Sequence, residues 1–143
     1  IVNDRGLKRL GLKPMAKIVG VALAGSDPRI MLEGPIPSTF NVLKKTGLSI
    51  DDIDLVEINE AFAPVPMAWL KATKCDPKKL NVNGGAIALG HPLGSSGTKL
   101  TTTLVYELER SKKRYGLIAI CEGGGTANAM IIERIPKEVA AKL

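Results

Sequence analysis

The stretch Asn83-Gly84-Gly85-Ala86-Ile87-Ala88-Leu89-Gly90-His91-Pro92-Leu93-Gly94-Ser95-Ser96-Gly97 decides how the rest of the chain is read. It holds five glycines, no charge and the only histidine of a sequence that is 24% charged. An uncharged run of this length is expected to be buried, yet so many glycines disfavour both helix and strand. It reads as a buried active-site loop. Pro92 biases His91 away from the α region, so the loop backbone sets the aim of the imidazole. The plain alternative is a histidine satisfied at an ordinary turn. The flanking glycines weigh against it, because they let backbone N–H groups and a ligand approach closely.

The composition frames that loop. A length of 143 residues suits one domain with a real core, and 45% hydrophobic with only 3% aromatic residues points to Ile, Leu, Val and Ala packing. The opening on Ile1 rather than Met reads as a cut through a longer protein. Ile1–Leu12, with Asp4, Arg5, Lys8 and Arg9, lacks the apolar heart of a signal peptide. No apolar run approaches the roughly 18 residues that would span a membrane. Two distant cysteines, Cys75 and Cys121, fit free thiols inside a cell, in the cytoplasm or an organelle matrix. The net charge of +6 comes largely from Lys44-Lys45, Lys71, Lys74 and the Arg110 to Arg114 run, near the ends of expected helices where they complement the helix dipole. Without interleaved aromatics the charge does not describe a nucleic-acid surface. It is compatible with a polyanionic small ligand.

Taken in order, residues 1–12 predict the end of a helix with Leu7 and Leu10 on one face and Gly11 closing it. Ile18-Val19-Gly20-Val21-Ala22-Leu23 predicts a buried strand. Pro37 in a first turn starts a helix that turns Phe40 and Leu43 inward, with Val42 beside them, and Gly47 ends it. Asp54 to Ile58 alternates like a strand and delivers Asn59-Glu60 at its end. From Phe62 to Lys74 a helix is expected with Phe62, Val65, Trp69 and Ala72 on one face, its regular part starting near Pro64. Leu80-Asn81-Val82 reads as a brief strand feeding the glycine loop. Leu100, Leu104 and Leu108 mark the buried face of a helix from Gly97 to Arg110. Leu117 to Cys121 and Ala129 to Ile132 complete an α/β fold with a mixed central sheet and helices on both faces. The expected division is a preceding segment or linker over 1–15, a domain over 16–135 and a loose tail over 136–143.

Ligands of open α/β sheets lie beyond the C-terminal strand ends, which is where this layout sends Asn59, His91 and Cys121. An amide can hold a water, an imidazole can donate to an oxyanion or take a proton, and a thiol can exchange one. Gly123-Gly124-Gly125 leave the N–H groups beside Cys121 open as oxyanion donors. No metal-ligand pattern is present in the sequence.

Asn59-Glu60-Ala61-Phe62, the loop from Gly84 to Gly97, and Cys121-Glu122-Gly123-Gly124-Gly125 together resemble the second half of thiolases, the acyltransferases that act on 3-ketoacyl-CoA. Gly11-Leu12-Lys13-Pro14 and Gly34-Pro35-Ile36-Pro37 fit the same pattern, so the likeness covers nearly the whole chain. The resemblance implies one half of the duplicated thiolase fold, with coenzyme A as substrate and no permanently bound cofactor. It implies that Cys121 shuttles the proton at the substrate α-carbon, and that His91 with a water held by Asn59 stabilises the enolate oxygen. It further gives the Gly123 N–H a place in a second oxyanion hole and lines the acyl pocket with Ala61 and Phe62. The family's nucleophilic cysteine and most of its coenzyme A site belong to a first half that this chain lacks. Cys75, before Asp76-Pro77, reads as a structural thiol and not as a substitute. On this reading the full-length protein is a homo-oligomeric acyltransferase and the fragment alone is inactive. A catalytically inert binding or scaffolding module is the alternative, and a free-standing phosphate binder is a weaker third, since no Gly-Lys-Ser/Thr ending follows the glycines. Glu122 and Thr126-Ala127-Asn128 depart from the family pattern, as do Pro64 and Pro66. Strand alternation is expected to turn Glu122 away from Cys121.

Overall fold

A computed structural model describes residues 1–140. Ten regular elements follow one another: α1 (Asp4–Leu10), β1 (Ala16–Gly25), α2 (Pro35–Thr46), β2 (Leu55–Ile58), α3 (Pro64–Thr73), α4 (Ala86–Leu89), α5 (Ser96–Ser111), β3 (Tyr115–Glu122), β4 (Thr126–Arg134) and α6 (Lys137–Ala140). The four strands form one sheet in the order β1-β4-β3-β2. β4 is antiparallel to both its neighbours, and β2 runs parallel to β3, so the sheet is mixed.

Helices cover both faces. Beneath α2 and α3 lies a dry layer that includes Val42, Val56, Ile58, Val65, Trp69, Leu117 and Ile131. Prolines open both of these helices, where a missing N–H costs nothing, and α2 ends on Gly47 at φ 72°, a left-handed turn that glycine enters without strain. Trp69 is fully buried, and its indole N–H donates to Thr39 Oγ1 at 2.8 Å, which joins the two helices. On the other face the i, i+4, i+8 leucines of α5 meet Leu55, Ile118 and Ile132 as their spacing requires.

Several expectations are corrected. β1 is an edge strand and leaves Ile18, Val21 and Leu23 exposed. Phe40 is exposed while Val42 and Leu43 are buried, because a helix lying along one sheet face buries a narrower stripe than its apolar content offers. The inner face of α3 is Val65, Pro66, Trp69 and Thr73; Ala72 is exposed, and Phe62 precedes the helix and is 61% exposed. Leu80-Asn81-Val82 makes only one parallel bridge, Val56 to Leu80. The tail begins with the single turn α6, which buries Ala140; residues 141–143 lie outside the described residues. Among the described residues no helix is long and apolar enough to cross a membrane.

Candidate active site

β2 was expected to alternate between buried and exposed, but all four of its residues are buried. It lies between the two helix layers, so even its polar side chain, Glu57, is taken out of water. At the end of β2 the Asn59 N–H donates to Ala119 O of β3 at 3.0 Å, which fixes the asparagine at the C-terminal rim of the sheet. Asn81 then does in side-chain form what a further strand would do. Its Oδ1 accepts from Ile58 N (2.9 Å), and its Nδ2 donates to Ile58 O (3.0 Å) and to Glu60 Oε1 (2.9 Å).

That staple leads into the glycine loop, which two charged residues hold at its helical turn, α4. Glu60 Oε2 accepts from Ile87 N at 2.9 Å, and Lys99 Nζ donates to Leu89 O at 2.6 Å and Gly90 O at 2.9 Å. Gly85 is required here, because a Cβ at that position would overlap the Glu60 carboxyl. The loop is not buried as its lack of charge suggested: Ile87, Leu89 and Leu93 are all exposed. It carries a helical turn, α4, whose backbone polar groups are satisfied locally and by Glu60 and Lys99, so it holds its shape without a core around it.

Asn59 and His91 meet: Asn59 Nδ2 lies 3.4 Å from His91 Nε2. On the far side of the ring, Nδ1 lies 2.6 Å from Ser96 Oγ, and that hydroxyl donates to Pro92 O at 3.1 Å. With the Asn59 amide turned so that Nδ2 faces the ring, one proton arrangement follows. Ser96 gives its hydrogen to Pro92, so Oγ accepts from Nδ1–H, and Nε2 carries the lone pair that receives the amide of Asn59. The imidazole is thereby presented as a base on its Nε2 side. Ser96, which orients the ring from the first turn of α5, was not singled out from the sequence; its place five residues after His91, on a helix start, was the available signal.

Cys121 is the last residue but one of β3, beside the strand that delivers Asn59 and opposite Ala127 of β4. Its thiol joins the layer under α2 and α3, and the ring bonds of His91 go to Asn59 and Ser96. Burial pushes the Cys121 thiol above its ordinary range, and the charge of Glu122 adds a smaller push in the same direction. Glu122 does turn away, accepting from Asn128 Nδ2 (2.6 Å) and Thr126 Oγ1 (3.2 Å). Gly123 is open, with nothing within 4 Å of where a Cβ would stand, as a ligand-accepting N–H requires. Ala61 packs against the core edge while Phe62 stands in solvent. Cys75 is buried behind α3, its thiol also raised by burial, and donates weakly to Asp76 O at 3.7 Å. Among the described residues no group of His, Cys, Asp and Glu forms a metal site.

A family model described as thiolase, C-terminal domain, matches residues 12–134. The chain is 62% identical over 135 residues to a steroid 3-ketoacyl-CoA thiolase of Mycobacterium tuberculosis, a match covering 94% of this chain and 33% of that protein. It is 51% identical to the mitochondrial 3-ketoacyl-CoA thiolase of Bos taurus, over 93% of this chain and 34% of the relative. The structure of human mitochondrial 3-ketoacyl-CoA thiolase in complex with CoA superposes with a TM-score of 0.90 at 48% identity, covering 93% of this chain and 34% of that one. The chain thus spans about a third of the length of the curated relatives it matches.

Proposed function

The chain belongs to the thiolase family, as its C-terminal domain, and from that premise we propose that the full-length polypeptide carrying it transfers an acyl group between a 3-ketoacyl-CoA and coenzyme A. The observation that carries this reading is the Asn59–His91–Ser96 set at the rim of the sheet, with Asn59 Nδ2 3.4 Å from Nε2 and Ser96 Oγ 2.6 Å from Nδ1. In thiolysis His91 takes the proton of a nucleophilic cysteine contributed from outside this chain, and the resulting thiolate attacks the ketone carbonyl. The bond between that carbonyl carbon and the α-carbon breaks. The acyl group stays on the nucleophile, and the departing acetyl-CoA enolate takes a proton from Cys121. A thiol kept protonated by burial suits this step, since it is an acid at rest.

His91 with a water held by Asn59 would bear the enolate oxygen, the Gly123 N–H would join the second oxyanion hole, and Ala61 with Phe62 would line the acyl pocket. Coenzyme A then accepts the acyl group, with no permanently bound cofactor. The full-length protein works as a homo-oligomer in the cytoplasm or an organelle matrix, and residues 16–135 are its C-terminal catalytic unit. The 143-residue chain lacks the nucleophile and by itself is inactive.

The test is a pair of assays. In the full-length polypeptide, Cys121→Ala is expected to abolish thiolysis and Claisen exchange while a burst of acyl-enzyme still forms from acetyl-CoA; survival of both steps removes Cys121 from the mechanism. The 143-residue chain is expected to show no ketoacyl-CoA cleavage, and turnover above background would overturn that part. A full-length polypeptide that binds coenzyme A without any turnover would instead favour the inert module.

A further inference from the structure

Two buried polar side-chain atoms among the described residues find no hydrogen-bond partner, Glu57 Oε2 and Asn59 Oδ1. They stand two residues apart, so they share one face of the β2 line, and each residue is only 1% exposed. Both line one cavity of about 10 Å³ under the glycine loop, closed by Gly84, Gly85, Ser96 and Lys99. A space of that size holds a single water. Leaving a buried acceptor unpaired is costly, so a pair of them around one water-sized space is a built feature.

We propose that Glu57 is a positioning residue: its carboxyl anchors one buried water that also donates to Asn59 Oδ1 and thereby fixes which end of that amide faces His91. The charged groups around it are committed elsewhere and leave its carboxyl to the water. Glu60, at the end of β2, is committed to Asn81 and Ile87 N. Glu107, on α5, is committed to Arg110 and Asn83. Lys99, which lines the cavity, spends its ammonium on Leu89 O and Gly90 O. Among the described residues no counter-ion is left for Glu57, and burial with the repulsion of Glu60 and Glu107 pushes its carboxyl up to about 8. A bridging water has two hydrogens, one for each orphaned acceptor. Without the carboxyl the water loses its anchor and the amide is free to reverse, with Oδ1 toward His91, which puts the ring proton onto Nε2 and removes the base.

The inference rests on the acyl-transfer reading only for its kinetic arm. For the other arm, His91 is the single histidine of the chain, so ring ¹⁵N signals of the 143-residue protein are unambiguous. At neutral pH the neutral ring of wild type and of Glu57→Gln is expected to carry its proton on Nδ1, and Glu57→Leu to show a mixture with the Nε2–H form. A wild-type ring protonated on Nε2, or a Glu57→Leu ring unchanged from wild type, overturns the proposal. In the full-length polypeptide, Glu57→Leu is expected to lose about tenfold to a hundredfold in kcat with KM little changed, the scale of one unpaired buried acceptor, and Glu57→Gln to rescue it. Equal kcat in Glu57→Leu and wild type, or Glu57→Gln falling as far as Glu57→Leu, also overturns it. If the wild-type full-length polypeptide shows no thiolysis, the function proposed above fails and the ring signals still decide the role of Glu57.

Discussion

The two faces of the sheet are built on different terms. The face under α2 and α3 is dry: its one conspicuous polar contact, Trp69 to Thr39, is complete, and its residues ask for nothing from solvent. The face under α5 is apolar along Leu100, Leu104 and Leu108 but is interrupted toward the strand ends by Glu57, Asn59, Ser96 and Glu107. Two buried glutamates on that second face show how differently such a group can be accommodated. Glu107 is gripped by Arg110 at 2.6 and 2.9 Å and by Asn83 at 2.9 Å, and the Arg110 guanidinium holds its carboxyl below the usual range. Glu57 has no such grip and is pushed the other way. One carboxyl is solved as structure; the other is left with chemistry to do.

The sharpest way to break the contrast is Trp69→Ala. If the dry face is the foundation, deleting this fully buried indole costs about 3–5 kcal/mol of stability by chemical denaturation. A loss well under that would mean the face repacks freely.

Next in size is Glu60→Ala, which removes the acceptor of both Asn81 Nδ2 and Ile87 N. It is expected to cost about 1–3 kcal/mol and, more tellingly, to speed amide exchange at Ile87 while leaving the dry face protected. Uniform acceleration through both faces would show that the loop is not an independent unit.

A change of pH separates the two glutamates. Glu57, raised from 4.5 to about 8, stabilises the fold fully below about pH 4.5 and loses that contribution as pH climbs to about 8, so Glu57→Gln should be the flatter variant on the alkaline side. Glu107, depressed, contributes above the ordinary carboxylate range and loses it as pH falls, so Glu107→Gln should flatten the acid side. Its partner Arg110 is largely exposed, so the Glu107 effect stays under about 1 kcal/mol. Thermal midpoints from acid to alkaline pH read both, and parallel curves for the two variants would erase the distinction.

Much of this architecture is legible without coordinates because it rests on local patterns. The leucines at 100, 104 and 108 can share a face only in a helix, and the apolar run from Leu117 to Cys121 has too little polarity for a surface strand. Gly11 and Gly47, both with positive φ, close their helices where a Cβ would be strained. What failed was burial. Phe40 and Ala72 fit the right periodicity but the wrong edge of a stripe whose width depends on what packs against it. The glycine loop was read as buried for want of charge, although its apolar residues face out and its order comes from Glu60 and Lys99.

The sequence by itself determined the order of the four sheet strands and of the helices α1, α2, α3 and α5, and the meeting of Asn59 with His91, since each follows from residues a few positions apart or from strands that end at one rim. Only the tertiary structure decided that Ser96 orients the ring, that Asn81 takes the part of a missing strand, and that Glu57 is shut in beside Asn59 without a counter-ion. The reason is physical. Propensity and periodicity act along the chain, whereas burial and hydrogen-bond satisfaction depend on everything that closes around a group in space.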